Sequence, residues 1–449
     1  MDSERVPAEP ANSLSSIWLQ LFILGAFRAT EAIAWTSIFP YVYFMIKSFD
    51  EVKDAEIPFY AGMLVAVFTF CEFLSGMAWA RVSDWIGRKP TLLIGSLCGI
   101  IAAISFGLSK SMAAAALSRA VGGLTNPNVG VVQTCIGELA TRKEQQARAF
   151  SVVPLLRGLG ALLGPPLGGL LADPVKLYPG VFRSSIWEKF PYLLPNVTVG
   201  ILSFSSMVLG FLCFQETHPQ LSKRPDIGIC TIRAVKHILT GKIGKWKEFG
   251  YSRLDDDDKN GIELTQETEM EPQLVGERVQ ESTQSEHVLA YEDDVQPAEK
   301  TLAKPFTLQV ILQIVSVSLL AFHKVSSDII TPTFLAIPAK EHMGPEDLQA
   351  TSIFRFVDGF GFSSQKIGLI LLTQAGVAIA AQTTLVPFIV GWLGALKTYR
   401  LVLCVFPATY LLTPFLVKLK PVFSTVVLLL DLWVKVVLSS TGYVCSAIL

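Results

Sequence analysis

Residues 158–174 read GLGALLGPPLGGLLADP. The stretch is apolar enough for lipid, yet it holds five glycines and the adjacent prolines Pro165 and Pro166, the two residue types that break helices. Gly160, Gly164 and Gly168 recur every four residues and therefore share one face of a helix. A face without side chains lets a second helix approach closely, as small residues do in membrane bundles. The prolines remove two backbone donors and bend the helix beside that face. Ordinary tight packing fits the pattern, and so does a surface on which two halves of a bundle seal and slide.

The rest of the chain supplies the bundle. Of 449 residues, 51% are hydrophobic and only 17% charged, and the mean hydropathy is +0.46. Soluble domains carry about a quarter charged residues. Crossing about 30 Å of hydrocarbon takes about 20 mostly apolar residues. Ten such runs lie at 17–46, 59–80, 90–109, 112–137, 150–172, 192–214, 306–335, 364–392, 400–417 and 422–447. Only helices satisfy their own backbone groups over such lengths in lipid, which makes this an all-α integral membrane protein. A net charge of -1 gives no reason to expect nucleic acid as a partner. No nucleophile–base constellation, phosphate loop or metal-ligand cluster is visible, which argues against an enzyme and against a bound cofactor or metal. The seven cysteines read as small apolar packing residues.

Orientation follows from lysine and arginine placement. Residues 1–16 are polar and lack the pattern of a cleaved signal, and they read as a cytoplasmic tail. With that end inside, the cytoplasmic connections are 81–89, 138–149, 215–305 and 393–400; 81–89, 138–149, 393–400 and the first part of 215–305 are basic, and the second part of 215–305 is acidic. The opposite loops are acid-rich, with Asp50, Glu51, Asp54 and Glu56 in one and Glu341, Glu346 and Asp347 in another. Residues 215–305 divide six spans (17–214) from four (306–449) and read as a solvated, largely disordered cytoplasmic linker. Within it, residues 231–249 also fit a basic amphipathic helix on anionic lipid. Residues 256–267 match a calcium-loop spacing, but Glu263 replaces the apolar eighth residue and Pro272 ends any exiting helix, which favours a solvated acidic run.

The charged motifs carry the functional reading. Residues 79–90 read WARVSDWIGRKP, where Gly87 suits a tight turn and Asp84 and Arg88 can pair across it as a latch, with Lys89 beside them. The same charges also satisfy plain positive-inside placement. The spacing resembles the loop motif of the major facilitator superfamily, G-x-x-x-D-R-x-G-R-K, with Ala80 for the Gly and Trp85 for the basic residue. Leu117-Ser-Arg119-Ala-Val-Gly-Gly123 resembles the superfamily's second motif, in which an intramembrane arginine is tied to proton movement. A lone arginine in a span costs about 3 kcal/mol on insertion scales and marks function by default. Arg119 has no acid three or four places away, and Glu31 is its candidate partner. Asn126-Pro127-Asn128 interrupts the same span, as broken helices lining a cavity do. Gly160-x-x-x-Gly164-Pro165-x-x-Gly168-Gly169 resembles the fifth-helix motif of the proton-antiporting branches, with Ser151 where that motif begins with Gly.

With Asn126–Val131, Glu138 and Pro191–Pro195, the resemblance is to fungal transporters of the drug:proton antiporter type, near the plant zinc-induced facilitator-like group, whose cysteine-rich signature is not seen. It implies a monomer in the plasma or vacuolar membrane that exchanges a small molecule for protons by alternating access. The cavity would be lined by the first, fourth, seventh and tenth helices. Arg28 with Glu31, Lys324 with Asp328 beside His323, and Asp431 with Lys435 each stand three or four apart and can neutralise one another on one helix face. The resemblance instead makes Glu31, Asp328 and Asp431 proton carriers, with Arg28, Arg119, Asn126 and Asn128 around them. Glu72 and Arg157 have no local partner. The superfamily has twelve helices, so ten imply a major facilitator fold truncated in its second half. The other readings are a non-transporting scaffold or sensor, an inactive truncated product, and facilitated diffusion without protons.

Overall fold

The computed structural model describes residues 11–140, 143–182, 185–223, 226, 228, 230–231, 308–339, 359–419 and 421–448, the side chains of 11–16, 143–148, 150, 151, 223, 421 and 447 excepted. The predicted surface helix beyond Thr231, the calcium-like loop, the rest of the linker and the acidic loop with Glu341, Glu346 and Asp347 lie outside the described residues. The chain divides into two units, Met1–Gly241 with Leu312–Leu449, and Lys242–Ile311. The second is almost wholly outside the described residues.

Among the described residues, all regular secondary structure is helical. The principal helices are α1 (Ala11–Thr36), α2 (Ile57–Ile86), α3 (Arg88–Gly107), α4 (Met112–Leu124), α5 (Asn128–Leu139), α6 (Lys143–Leu171), α7 (Leu193–Cys213), α8 (Leu308–Ala336), α9 (Ser364–Ala380), α10 (Val386–Leu393), α11 (Ala395–Phe415) and α12 (Pro421–Ile448). Among the described residues, nine helices are long and apolar enough to cross a membrane, α9 and α10 counting as one span. The predicted fourth span is not among them, because it divides into α4 and α5 around Thr125–Pro127. The predicted first run is also shorter than expected: α1 ends at Thr36, the chain turns, and a short helix Val42–Lys47 follows. Pro40 lies in that turn and disfavours helix at the residue before it.

Local chemistry sets several boundaries. Ser111 and Ser363 cap α4 and α9, their hydroxyl oxygens accepting from the amides of Ala114 and Lys366. Pro387 removes a donor just after Ala381–Leu385, where the eighth span relaxes into a π-helical turn. Large apolar side chains point outward, Phe73 and Met77 at 79% exposure and Val422 at 82%, as a lipid-facing surface requires.

Three buried clusters show where the two helical halves meet. One joins Tyr41, Met45, Ile57 and Leu64 of the first half to Leu335, Ile367 and Leu432 of the second. These residues lie at the end of the bundle away from Gly87. Towards the Gly87 end the cores are separate, with Leu24, Val132 and Phe214 in the first half and Leu320, Val402 and Phe406 in the second.

The glycine-rich stretch of α6 serves both kinds of contact. A Cβ at Gly160 or Gly168 would overlap the carbonyls of Ala29 or Ser37, and one at Gly164 would overlap the Thr36 hydroxyl. The four-residue stripe therefore seats α1 within the first half and does not face the second. The contact between halves uses the next face, where Gly169 meets the Ser364 carbonyl and Gly368 of α9 meets the Pro165 carbonyl. Pro165 has given up its own donor and presents only an acceptor there.

Candidate functional site: a charged cavity and a loop network

Between the halves lies a cavity of about 710 Å³. Arg28, Glu31, Arg119, Asn126, Asn128 and Asp328, all expected from the sequence, line it. Glu72, Arg157 and Lys324 line it as well, and aromatic surface comes from Phe27, Trp35, Phe68, Phe106 and Tyr443.

The break between α4 and α5 builds the centre of the site. Asn126 is freed from helical hydrogen bonding, and its Nδ2 donates to Glu31 Oε1 at 3.2 Å and to Glu72 Oε1 at 2.8 Å. One amide thus joins α1 and α2 through two carboxylates. Its Oδ1 accepts from the Asn128 amide at 3.2 Å, which starts α5. Pro127 packs against Gly95 of α3, where a Cβ would overlap the ring. Glu31 is also held by Arg28, with Nη1 2.5 Å from Oε2. The bridge to Glu72 is not readable from spacing, because it joins residues 54 positions apart. The sequence signal was there all the same, in a carboxylate with no partner on its own helix.

Arg119 has a different neighbourhood from the one expected. It does not pair with Glu31, which Arg28 and Asn126 already occupy. Instead its Nε donates to the Leu64 carbonyl at 3.4 Å, and its guanidinium lies 4.3 Å from the centre of the Phe68 ring, with Trp35 at 5.6 Å and Phe106 at 5.9 Å. Aromatic faces and a carbonyl replace a counter-ion in holding a buried cation. A Cβ at Gly123 would overlap the Phe68 carbonyl, so the close approach of α4 to α2 depends on that glycine.

In the second half, Lys324 Nζ donates to both carboxylate oxygens of Asp328, and this pair faces the cavity. Gln382, in the π-helical turn, lines it too. Asp431 does not reach the lining. It lies 2.8 Å from Lys435 Nζ, takes a hydrogen bond from Thr413 at 2.8 Å, and is 5% exposed, buried among α11 and α12. His323 is sandwiched between Phe406 and Tyr410, at 4.6 Å and 4.8 Å between ring centroids.

The Asp84–Lys89 loop is a network richer than the motif. Arg88 Nη1 donates to Asp84 Oδ1 at 2.6 Å and to Ser83 at 3.0 Å, while Nη2 donates to Glu138 Oε1 at the end of α5 at 2.9 Å. Glu216, just past α7, accepts from the backbone amides of Arg88 and Lys89 at 2.8 Å and 3.1 Å, satisfying the free donors at the start of α3. Lys89 Nζ is 2.6 Å from Asp226, and Thr217 donates to Glu138 at 2.6 Å. Gly87 has φ +105° and ψ 162°, a region closed to side chains, and a Cβ there would overlap the Glu216 carboxylate. The partners named here come from the first half and from the segment that follows α7. Glu216, Thr217 and Asp226 were not read from the sequence, because only the return of the chain after α7 brings them to the loop.

Comparison with known proteins follows the same lines. The description Major Facilitator Superfamily matches residues 24–448. The "Major facilitator superfamily multidrug transporter mfsB" of Aspergillus fumigatus is 37% identical over 456 residues, covering 96% of this chain and 72% of that protein. "Protein ZINC INDUCED FACILITATOR-LIKE 1" of Arabidopsis thaliana is 36% identical over 41% of this chain, and the match spans only 39% of its length. The "Efflux pump azaK" of Aspergillus niger is 32% identical over 49% of this chain, and the match spans 44% of its length. Among solved structures, a D-xylose-proton symporter superposes with TM-score 0.54 at 13% identity, covering 96% of this chain and 81% of that one. A bacterial homologue of the human lysosomal transporter Spinster gives 0.53 at 16%, covering 97% and 74%. At such identities these likenesses concern the fold alone. Helix order, loop motif and near full-length similarity agree, and this chain belongs to the Major Facilitator Superfamily of membrane transporters.

Proposed function

We propose that this chain exports small organic molecules by alternating access, coupled to protons moving the other way. The observation that carries the reading is the cavity: drug-sized, set between halves that share a core at one end only, and lined by Glu31, Glu72 and Asp328. Carboxylates at membrane depth are costly unless they serve a pathway, and these three are held by partners that can let go, Arg28 and Asn126 in the first half and Lys324 in the second. Arg119 fixes α4 against α2 at the level of the cavity. Asp431, paired with Lys435 away from the lining, takes a structural role. Asp84, Gly87, Arg88 and Lys89 keep the first half one rigid body while it tilts against the second. With the basic loops taken as cytoplasmic, the cavity faces inward here. Exchange against protons draws on the likeness of Gly160, Gly164, Pro165, Gly168 and Gly169 to the antiporter motif, and export of drug-like molecules on similarity to the two Aspergillus transporters. The working unit is a monomer in the plasma or vacuolar membrane.

The test reconstitutes the full chain in liposomes, imposes a pH gradient and follows a panel of anionic, cationic and neutral fluorescent dyes. At least one dye should move faster with the gradient, and Glu31→Gln, Glu72→Gln or Asp328→Asn should remove that acceleration. Flux indifferent to the gradient would leave facilitated diffusion, and no flux at all would leave a scaffold or sensor.

A further inference from the structure

The charges around the cavity do not cancel. Among the described residues, Arg28, Arg119, Arg157 and Lys324 face it against Glu31, Glu72 and Asp328, one positive charge in excess. Three of the four cations are engaged. Arg28 has Glu31, Lys324 has Asp328, and Arg119 has the Leu64 carbonyl and the Phe68 face. Arg157 of α6 is the exception. It feels the charges of Arg28, Glu31 and Glu72, yet among the described residues it makes no ion pair or hydrogen bond. Glu31 and Glu72 are already spanned by the Asn126 amide, which leaves Arg157 as the uncommitted cation. The residue is exposed, and the space it borders is the cavity.

We infer that Arg157 recognises the anionic group of the cargo, and that the cargo is an aromatic organic anion carrying a carboxylate, sulfonate or phosphate. An unpaired guanidinium at membrane depth is costly, and a planar anionic group that accepts from its fork of donors offsets that cost. The aromatic body of the same molecule lies against Trp35, Phe68 and Tyr443, which line the same space. A lipophilic cation meets the opposite situation, since each carboxylate it would seek already holds a partner. The inference deepens the transport reading and relies on it only for calling the bound molecule cargo.

The experiment measures binding, which needs no proton gradient. Full-length protein in nanodiscs of zwitterionic lipid, in buffer containing sodium chloride, is titrated with 6-carboxyfluorescein and separately with ethidium, and fluorescence anisotropy is followed. The wild type should bind the anionic dye more tightly than the cation. Arg157→Gln should weaken the anionic dye by about tenfold or more, the scale of losing a charged hydrogen bond, and leave ethidium within about twofold. Arg157→Lys should keep part of the affinity, because it keeps the charge and loses the fork. Thermal melting of each variant confirms folding, and the lysine variant carries the comparison where the glutamine variant melts early. Equal affinity for the anionic dye in wild type and Arg157→Gln, preference for ethidium, or no binding of either dye would overturn the assignment. None of these outcomes bears on whether protons drive transport, which the liposome assay reads separately.

Discussion

At the scale of single residues, the centre of the site is an amide. Asn126 donates from one nitrogen to carboxylates on two different helices, so its removal leaves Glu31 and Glu72 facing each other with one donor fewer. Leaving a partly buried charged acceptor short of a donor costs about 1–3 kcal/mol. Asn126→Ala is therefore expected to lower the melting temperature of the purified protein and to blunt gradient-driven transport. Asn126→Asp should be worse on both counts, because it adds a third negative charge where two already meet. Melting followed by tryptophan fluorescence checks the first effect and dye uptake the second. If Asn126→Asp melts like the wild type, the amide is not what holds the pair. The sequence marked Asn126 for its position in a helix break, and that was as far as spacing could go. The identity of its partners required α1 and α2 to be side by side, which no local pattern encodes.

At the scale of elements, α6 distinguishes glycines that matter from glycines that do not. Gly158 has open space where a side chain would go, while Gly168 lies against the Ser37 carbonyl of α1. Backbone cannot swing aside as a flexible side chain can, so Gly168→Ala forces the helices apart, at about 1–3 kcal/mol for overpacking. Gly158→Ala meets nothing and gains helix propensity of up to about 1 kcal/mol. Thermal melting should rank Gly158→Ala at or above the wild type and Gly168→Ala clearly below it; the reverse order would dismiss the stripe as a packing surface. Gly169 differs in kind, because it touches α9 across the two halves. The four-residue period was legible from sequence and correctly named a smooth face. What covers that face was not legible, since a single residue step, about 100° around the helix, separates Gly168, which seats α1, from Gly169, which meets the other half. The same limit applies to the loop network. Gly87, Asp84 and Arg88 were legible as a turn with a latch, and Glu138 stood among the resembling residues. Glu216 and Asp226 became partners only through tertiary return of the chain.

At the scale of the molecule, the shared core at one end and separate cores at the other mean that the two halves close the cavity from one side. Periodicity and length fixed the helices well, because each must satisfy its backbone alone in lipid. The relative tilt of the halves is a tertiary property, the one that the proposed alternating access would change, and no span pattern can express it. The orientation proposed from the basic loops, with the separated end in the cytoplasm, makes a directional prediction possible. Ser203 of α7 lines the cavity and joins no ion pair or loop contact described above. In a background with the seven native cysteines replaced, Ser203→Cys should react with a membrane-impermeant thiol reagent added on the side bearing Arg81, Arg88 and Lys89. The same reagent on the opposite side should label it slowly at rest, because Tyr41, Leu335 and Ile367 lie in the way. Cargo with a pH gradient should raise labelling from that opposite side, since a cycling molecule spends part of its time open there. Equal labelling from both sides at rest would mean a pore or a misplaced core, and labelling from the far side alone would invert the orientation assigned from the loops.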